Sequence, residues 1–165
     1  MALDSSITIR SATSADDEAV GTLLADVYLG ERYTHASYES VLRDTVARLA
    51  DTDVLLAADE TGRVVGTVTY AEPPSHYAEV AREGEAAFRL LAVSPLARGK
   101  GVGERLVQAC VERARAHGRS HLVLSTQPNM TTAHRLYERM GFTRSLDRDW
   151  SPLPGLQLRV YVLPL

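Results

Sequence analysis

Three glycines stand at alternate positions, Gly99, Gly101 and Gly103, with the cations Arg98 and Lys100 beside them. They follow a strand-like apolar run and precede a helical pattern. Glycine lets a backbone approach a ligand closely, and the first N–H groups of a helix have no internal partner. The positive end of the helix dipole favours an anion at the same place. The spacing therefore predicts a phosphate site.

The same residues exclude two other phosphate-binding loops. The dinucleotide fingerprint GxGxxG needs a glycine where this chain has Glu104, and the GxxxxGK loop followed by Ser or Thr is absent. A strand-to-helix turn that binds nothing is the remaining alternative. Such a turn does not need three glycines and two cations, so the phosphate site is the better interpretation.

The segments around this loop resemble the GNAT family of N-acetyltransferases. RGKGVG is similar to the family signature R/Q-x-x-G-x-G/A, and LLAVSP before it resembles the family's fourth strand. N-x-x-x-A-x-x-LYERMGF, from Asn129 to Phe142, resembles the last-helix motif, and VLLAADETGRVVGTVTYAE resembles the second and third strands. The likeness covers nearly the whole chain and is most specific over residues 85–142.

The resemblance implies an acetyl-CoA-dependent N-acetyltransferase that acts on a primary amine of a small molecule or peptide. It implies a mixed α/β fold, with a mostly antiparallel sheet of about seven strands, a splayed parallel fourth and fifth strand, and about four flanking helices. The loop amides would bind the pyrophosphate of coenzyme A, and the fourth strand would pair with the pantetheine arm. The implied cofactor-binding residues are Leu91, Ala92, Val93, Arg98, Gly99, Lys100, Gly101, Val102, Gly103 and Asn129.

Acyl transfer from a thioester to an amine needs a neutral amine and a proton for the leaving thiolate. The resemblance places Tyr137 near the sulfur, and a hydroxyl with a pKa of about 10 can protonate a thiolate of comparable basicity. From pattern alone, Tyr137 could equally be a core aromatic and Asn129 a helix cap. No convincing Ser/His/Asp or Cys/His set is present, so we expect direct transfer without a covalent enzyme intermediate. A non-catalytic acyl-CoA-binding module is the competing functional class.

The general base is predicted less directly. Glu85 is the first candidate because it stands at the start of the fourth strand, although the family's glutamate lies nearer the middle. On an alternating strand it shares a face with Ala87, Arg89, Leu91 and Val93. A solvated strand-end carboxylate is the alternative, and His76 and then His35 are the other candidate bases. No spacing suggests a metal site.

We expect the acceptor pocket to be built from residues 28–38, the 72–84 loop and the ribbon near Asp149 and Trp150. Aromatic candidates for its lining are Tyr28, Tyr33, Tyr38, Tyr77 and Trp150. The acidic residues of these segments favour a cationic amine, with solvated surface carboxylates as the alternative; they are Glu31, Glu39, Glu72 and Glu79.

Alternating strand and helix patterns predict one α/β domain over residues 1–165. The predicted strands are 7–10, 54–59, 64–70, 86–93 and 121–126, followed by 143–149 paired with 156–163. The predicted helices begin at Ser14 or Asp16 and run to 28, and then cover 37–50, 101–117 and 131–140.

Composition restricts the remaining classes. A net charge of -3 and a pI near 5.9 argue against a nucleic-acid binder. Cys110 is the single cysteine, so no internal disulfide is available, and its position on an apolar helix stripe predicts a core residue. Asp4 and the lack of a long apolar run argue against a signal peptide or membrane span, so we expect a cytoplasmic protein. Homodimers are common in the family, but no residue here requires one.

Overall fold

The structure is a computed structural model that describes residues 6–165, so Asp4 lies outside it. The strands of this part of the chain are β1 Thr8–Ser11, β2 Asp53–Ala58, β3 Val64–Ala71, β4 Ala86–Val93, β5 His121–Thr126, β6 Thr143–Arg144, β7 Trp150–Leu153 and β8 Leu156–Pro164. Its α-helices are α1 Asp17–Gly30, α2 Glu39–Arg43, α3 Thr45–Asp51, α4 Val102–Ala116 and α5 Thr131–Arg139.

The strand order in the sheet is β1-β2-β3-β4-β5-β8-β6, and β7 pairs with β8. β4 and β5 are parallel, whereas β1 with β2, β2 with β3, and β8 with β5, β6 and β7 are antiparallel. The pairing recorded between β4 and β5 joins Ala86 to Leu122 and Ala87 to Val123, at the first residues of β4. The predicted mixed α/β fold, mostly antiparallel with one parallel pair, is confirmed.

The chain divides into two compact units. The first comprises Met1–Tyr70 and Leu90–Ala109, and the second comprises Ala71–Arg89 and Cys110–Leu165. The division falls inside β4 and inside α4. The expectation of a single domain stays a prediction.

The first unit is organised by the apolar side of α1 and by β2 and β3. Val20, Leu24, Leu56 and Val68 are fully buried. A Cβ at Gly21 would stand 2.8 Å from the backbone oxygen of Arg43, so only glycine permits the observed approach of α1 to α2.

The prediction of one helix over residues 37–50 is wrong, because the chain breaks at Asp44 into α2 and α3. The carboxylate of Asp44 accepts the backbone N–H of Ala47 and begins a new helix. The fully buried Arg48 donates to the carbonyl oxygens of Val41 and Leu42, at 2.7 and 2.9 Å. In the second of these helices, Val46 is 63% exposed.

The second unit contains the apolar strand β5, whose Leu122, Val123 and Leu124 are buried. The predicted ribbon of 143–149 against 156–163 is correct only at β6, which pairs with Val162 and Tyr161 of β8. Residues Leu146–Arg148 form a turn of 3₁₀-helix instead. The carboxylate of Asp149 accepts the N–H of Val160 at 2.8 Å, so a side chain replaces the backbone partner at this point.

β4 has the predicted bounds. Leu90 has a φ of 55°, in the left-handed region that non-glycine residues rarely adopt. Burial nevertheless alternates from Phe88 to Val93, where Arg89, Leu91 and Val93 are the more exposed residues. That Glu85 shares a face with Leu91 and Val93 stays a prediction.

Candidate active site

The glycine loop joins β4 to α4 within the first unit. Ser94 donates its backbone N–H to the carbonyl oxygen of Val65 in β3 at 2.8 Å, and its hydroxyl accepts the N–H of Leu96 at 3.3 Å. After this turn, Gly99 and Gly101 have φ values of 78° and 75°. Two left-handed residues in three explain why the chain needs glycine here. α4 then begins directly after Gly101.

The first residue of α4 is fixed against β3. Val102 is 2% exposed, and a Cβ added to Gly66 would lie 2.8 Å from Val102 Cγ1 and 3.0 Å from Leu106 Cδ1. Gly66 therefore permits the helix start to rest directly on the strand. Arg105, one turn into α4, donates to the carbonyl oxygen of Ile7 at 2.5 Å. The close packing on Gly66 and the hydrogen bond from Arg105 to Ile7 thus fix the start of the helix.

The two predicted cations of the loop differ in their contacts. Arg98 Nη1 lies 2.9 Å from Glu31 Oε1, with 48% and 37% of the two side chains exposed. Lys100 is exposed at the tip of the loop. A phosphate at this loop would compete with Glu31 for Arg98, and solvent screening makes such an exposed ion pair weak.

The second half of β4 lies in the same unit as the loop. Leu91 and Val93 are half-buried, and Ala92 is 2% exposed. The hydroxyl of Tyr28 donates to the carbonyl oxygen of Leu91 at 3.3 Å, directly after the left-handed Leu90. The strand residues predicted to bind the cofactor and the predicted phosphate loop therefore lie in the same unit. Sequence reasoning missed both the turn at Leu90 and its hydrogen-bonded neighbour, because a leucine in an apolar run predicts extended backbone.

Tyr137 lies in the second unit, on α5, and is 3% exposed. Its ring contacts three other aromatic rings at centroid distances of 5.8 Å to Phe88, 5.9 Å to Phe142 and 5.9 Å to Tyr161. Phe88 belongs to the first half of β4. The ring of Tyr137 is therefore fixed against the central strand, and the orientation of its hydroxyl is determined by packing.

Asn129 is exposed in the turn between β5 and α5. The residue that caps α5 is Met130, without a side-chain hydrogen bond. The alternative interpretation of Asn129 as the helix cap is therefore wrong, and its role toward a cofactor stays a prediction.

Glu85 is 6% exposed and forms a two-point ion pair with Arg148. Arg148 Nη2 lies 2.8 Å from Oε1 and Nη1 lies 3.2 Å from Oε2, and Oε1 also accepts the N–H of Arg82. Burial by itself raises the pKa of Glu85, but the hydrogen bonds from Arg148 and Arg82 outweigh it and lower the pKa. A carboxylate with a lowered pKa is a weak base near neutral pH. No sequence signal identified Arg148, which is 63 residues away along the chain.

The other residues predicted for the acceptor pocket are divided between the two units, and several of them already have partners. Glu39 lies 2.9 Å from Arg43, and Glu72 contacts His117 and lies 3.0 Å from Arg119, so each of these acids already has an arginine partner. Tyr33 contacts the edge of Tyr28 in the first unit. In the second unit, His76 stacks on Tyr77, which also lies 5.7 Å from the guanidinium of Arg89.

A cavity of about 290 Å³ opens in the second unit. It lies where part of the acceptor pocket is predicted, at the 72–84 loop and Trp150. Its lining residues are Glu79, Val80, Ala81, Arg82, Arg148 and Trp150.

Cys110 is fully buried, which confirms its prediction as a core residue. Residues 6–165 contain no group of three His, Cys, Asp or Glu side chains that could hold a metal ion. Within the same range, no helix is long and apolar enough to cross a membrane.

Comparison with known proteins relates this architecture to a family. The model of the Acetyltransferase (GNAT) family matches residues 14–142. An aminoalkylphosphonate N-acetyltransferase from Salmonella typhimurium is 30% identical over 139 residues, which is 83% of this chain and 85% of that protein. A mycothiol acetyltransferase from Renibacterium salmoninarum is 34% identical over 93 residues, or 54% of this chain and 26% of that protein. The chain spans a third or less of the length of the mycothiol acetyltransferases described by these matches.

Solved structures share the fold at low sequence identity. An acetyltransferase of the GNAT family from Staphylococcus aureus Mu50 superposes with a TM-score of 0.78 at 17% identity, covering 96% of this chain and 99% of that one. A Salmonella typhimurium structure that contains its cofactor acetyl-CoA gives a TM-score of 0.68 at 22% identity, covering 97% and 94%.

The fold is therefore that of the GNAT acetyltransferases. It combines a mostly antiparallel sheet, which has one parallel pair, with a glycine loop at the start of a helix. Because the family model matches well over half of the sequence, the chain belongs to the Acetyltransferase (GNAT) family.

Proposed function

We propose that this protein is an acetyl-CoA-dependent N-acetyltransferase acting on a primary amine. The observation that carries the proposal is the loop at the start of α4, with left-handed glycines at 99 and 101 in a chain of this family. A Cβ at Gly99 would meet nothing within 4 Å, so the loop surface is open at this residue. Backbone N–H groups at a helix start suit the pyrophosphate of coenzyme A.

The residues proposed to bind the donor are those predicted from the sequence. Backbone groups of residues 98–103 would bind the pyrophosphate, with Arg98 and Lys100 adding positive charge. The edge of β4 from Leu91 to Val93 would bind the pantetheine arm, with Asn129 as a further hydrogen-bonding residue. The related structure that contains acetyl-CoA supports this choice of donor.

Acetyl-CoA supplies a thioester carbonyl, and we propose that the amine nitrogen attacks it directly. The new C–N bond forms, the C–S bond breaks, and the hydroxyl proton of Tyr137 passes to the departing sulfur. The amine proton leaves to a base or to water. The full burial of Cys110 supports a direct transfer, because this thiol has no access to a substrate.

The group that takes the amine proton is the second requirement of this reaction. Glu85 remains the first prediction from the sequence, but its ion pair with Arg148 and its lowered pKa favour a structural role. A solvent-exposed amine can also lose its proton to water before it binds. Because Glu85 is held by Arg148, we propose that water, and not this carboxylate, removes the proton from the amine.

Release of free thiol tests the proposal. The full chain is incubated with acetyl-CoA and a panel of amines, amino acids, aminoalkylphosphonates and peptides, and thiol release is recorded with and without amine. We expect amine-dependent release, together with no acetylated protein by intact mass spectrometry. Binding of acetyl-CoA without turnover on any amine would favour the non-catalytic acyl-CoA-binding module, and accumulation of an acetylated protein would contradict direct transfer.

A further inference from the structure

The cavity in the second unit has a rigid frame. Arg148 donates to the carbonyl oxygen of Val80 at 2.6 Å and to the carboxylate of Glu85, which in turn accepts the N–H of Arg82. Both side chains of the ion pair are 8% exposed. One guanidinium thus ties the turn before β7 to the segment before β4, and its charge is neutralised by Glu85. The hydrogen bonds of Arg148 therefore connect the two segments that line the cavity, and they do so without a bound ligand.

Three polar groups of the lining are not used by this frame. Trp150 Nε1 is buried and has no hydrogen-bond partner among the described residues. Glu79 and Arg82 are exposed, and within residues 6–165 neither side chain forms a hydrogen bond or ion pair. A buried N–H without an acceptor costs about 1–3 kcal/mol, so the lining lacks an acceptor at Trp150.

The charges and hydrogen-bonding groups of these three side chains indicate which ligand groups the cavity would bind. Glu79 suits an ammonium group, whereas Arg82 and the indole N–H of Trp150 both suit a carboxylate. Since Arg148 is neutralised by Glu85, Arg82 is the single uncommitted cation among the lining residues, which disfavours a polyphosphate. A volume of about 290 Å³ is near the lower end of the roughly 300–1,000 Å³ typical of ligand sites.

We propose that this cavity is the acceptor site and that it binds a free α-amino acid through its carboxylate and α-amino groups. The proposal rests on the acetyltransferase function proposed above. Glu85, at the frame of the cavity, directly precedes β4, and Phe88, which contacts Tyr137, is the third residue of that strand. At the usual rise of a strand the two residues are about 10 Å apart along the chain, so the cavity lies near the start of the strand against which the proposed acid packs.

Ligand-observed NMR with the full chain and no acetyl-CoA tests the recognised groups. An equimolar mixture of L-amino acids is screened, and the strongest binder is compared with its carboxamide and its N-acetyl derivative. We expect each derivative to bind at least about tenfold more weakly, because each removes one charged partner. Equal affinity of the amino acid and its amide, or no binding by any amino acid, would overturn the proposal.

Variants test the assigned residues. Arg82→Gln and Glu79→Gln are expected to weaken amino-acid binding at least about tenfold, and Trp150→Phe, which keeps an aromatic ring, several-fold. Arg115→Gln and Glu83→Gln are matched controls, because both residues are exposed and lie outside the lining. Unchanged affinity in Arg82→Gln and Glu79→Gln would overturn the assignment.

Acetyl-CoA binding, measured by thermal shift on the same samples, separates this inference from the proposed function. If acetyl-CoA binds and turnover occurs while the cavity variants bind amino acids normally, the cavity assignment fails and the acetyltransferase function stands. If acetyl-CoA does not bind, the proposed function fails, and the cavity's role as acceptor site fails with it.

Discussion

At the scale of single residues, Tyr137 is the group whose chemistry can be isolated most cleanly. Its ring is fixed by Phe88, Phe142 and Tyr161, so removal of the hydroxyl leaves the packing in place. We expect Tyr137→Phe to lower kcat by about 10²-fold or more, the usual contribution of a positioned proton donor, while acetyl-CoA affinity stays the same. Steady-state kinetics and thermal shift measure the two quantities.

Tyr161→Phe is the matched control for this experiment. Tyr161 belongs to the same aromatic cluster, and its hydroxyl donates to Glu138 at 3.1 Å. Its removal should leave kcat within a few-fold of the original value. An equal loss of kcat in both variants would mean that the cluster, and not the hydroxyl of Tyr137, determines turnover.

The pair of Glu85 and Arg148 makes a prediction that separates a base from a structural residue. Glu85→Gln leaves the buried guanidinium without its counter-charge, which costs about 3–5 kcal/mol in comparable buried pairs. Chemical denaturation should therefore show a large loss of stability.

The pH profile of turnover decides the catalytic part of the same question. If Glu85 only supports the fold, the shape of the kcat/KM profile is unchanged in Glu85→Gln. Loss of the acid limb of that profile, in protein shown to be folded, would instead establish Glu85 as the base.

Asp16 acts at the scale of an element, because it fixes the entry to α1. Its carboxylate accepts hydrogen bonds from Arg10 at 2.8 and 2.9 Å and from the N–H of Thr13. The hydrogen bonds from Arg10, opposed by burial and helped by Thr13, lower the pKa of Asp16 to about 2. The pKa of an unfolded aspartate is near about 3.9.

Because the folded-state pKa is the lower one, the stabilisation by Asp16 is present above pH of about 4 and is lost as the pH falls toward 2. We expect Asp16→Asn to cost about 1 kcal/mol at pH 7, since Arg10 is 42% exposed and solvent screens the pair. The difference should shrink below a pH of about 4 and be mostly lost near pH 2 in thermal unfolding. Asp26→Asn, an exposed position on the same helix, is the control, and a pH-independent difference would contradict the assignment.

The contact of β3 with α4 gives a second prediction at this scale. A methyl group at Gly66 would meet the stiff side chain of Val102, so Gly66→Ala must shift the start of the helix. We expect a loss of about 1–3 kcal/mol in stability and weaker acetyl-CoA binding, because the same helix start carries the proposed pyrophosphate site. Gly30→Ala is the control, since a Cβ there meets nothing within 4 Å. Unchanged acetyl-CoA affinity in Gly66→Ala would separate the helix position from donor binding.

For the whole molecule, ligand binding should appear as added stability. A ligand at about 100 times its Kd adds about 2.7 kcal/mol to the free energy of unfolding. In a chain of 165 residues, this corresponds to a rise of about 5–10 °C in Tm. We expect acetyl-CoA and CoA to produce this rise and ATP to produce none.

Gly101→Val tests whether that stabilisation comes from the loop. A β-branched side chain is strained at a φ of 75°, so this variant should lose the response to acetyl-CoA. Retained tight binding would place the phosphate site elsewhere in the molecule, and stabilisation by ATP alone would contradict the proposed donor.

The sequence by itself determined the features that depend on neighbouring residues. β4 and β5 have the predicted bounds, and the short segment between the predicted strands 54–59 and 64–70 forms a turn that contains Gly62, with a φ of 85°. The loop before α4 follows in the same way, because glycine, helix start and strand end are local properties of the chain. The family, and with it the sheet, was accessible from those motifs.

Only the tertiary structure decided the features that depend on distant partners. Arg48 divides the predicted second helix by binding its carbonyls, and Leu90 adopts a conformation that an apolar run does not suggest. Arg148, 63 residues further along the chain, pairs with the candidate base Glu85, so that Glu85 is one half of a buried ion pair. The side-chain hydrogen bonds of Arg48 and Arg148 form only on folding and outweigh local preference, so their outcome depends on partners outside the local sequence.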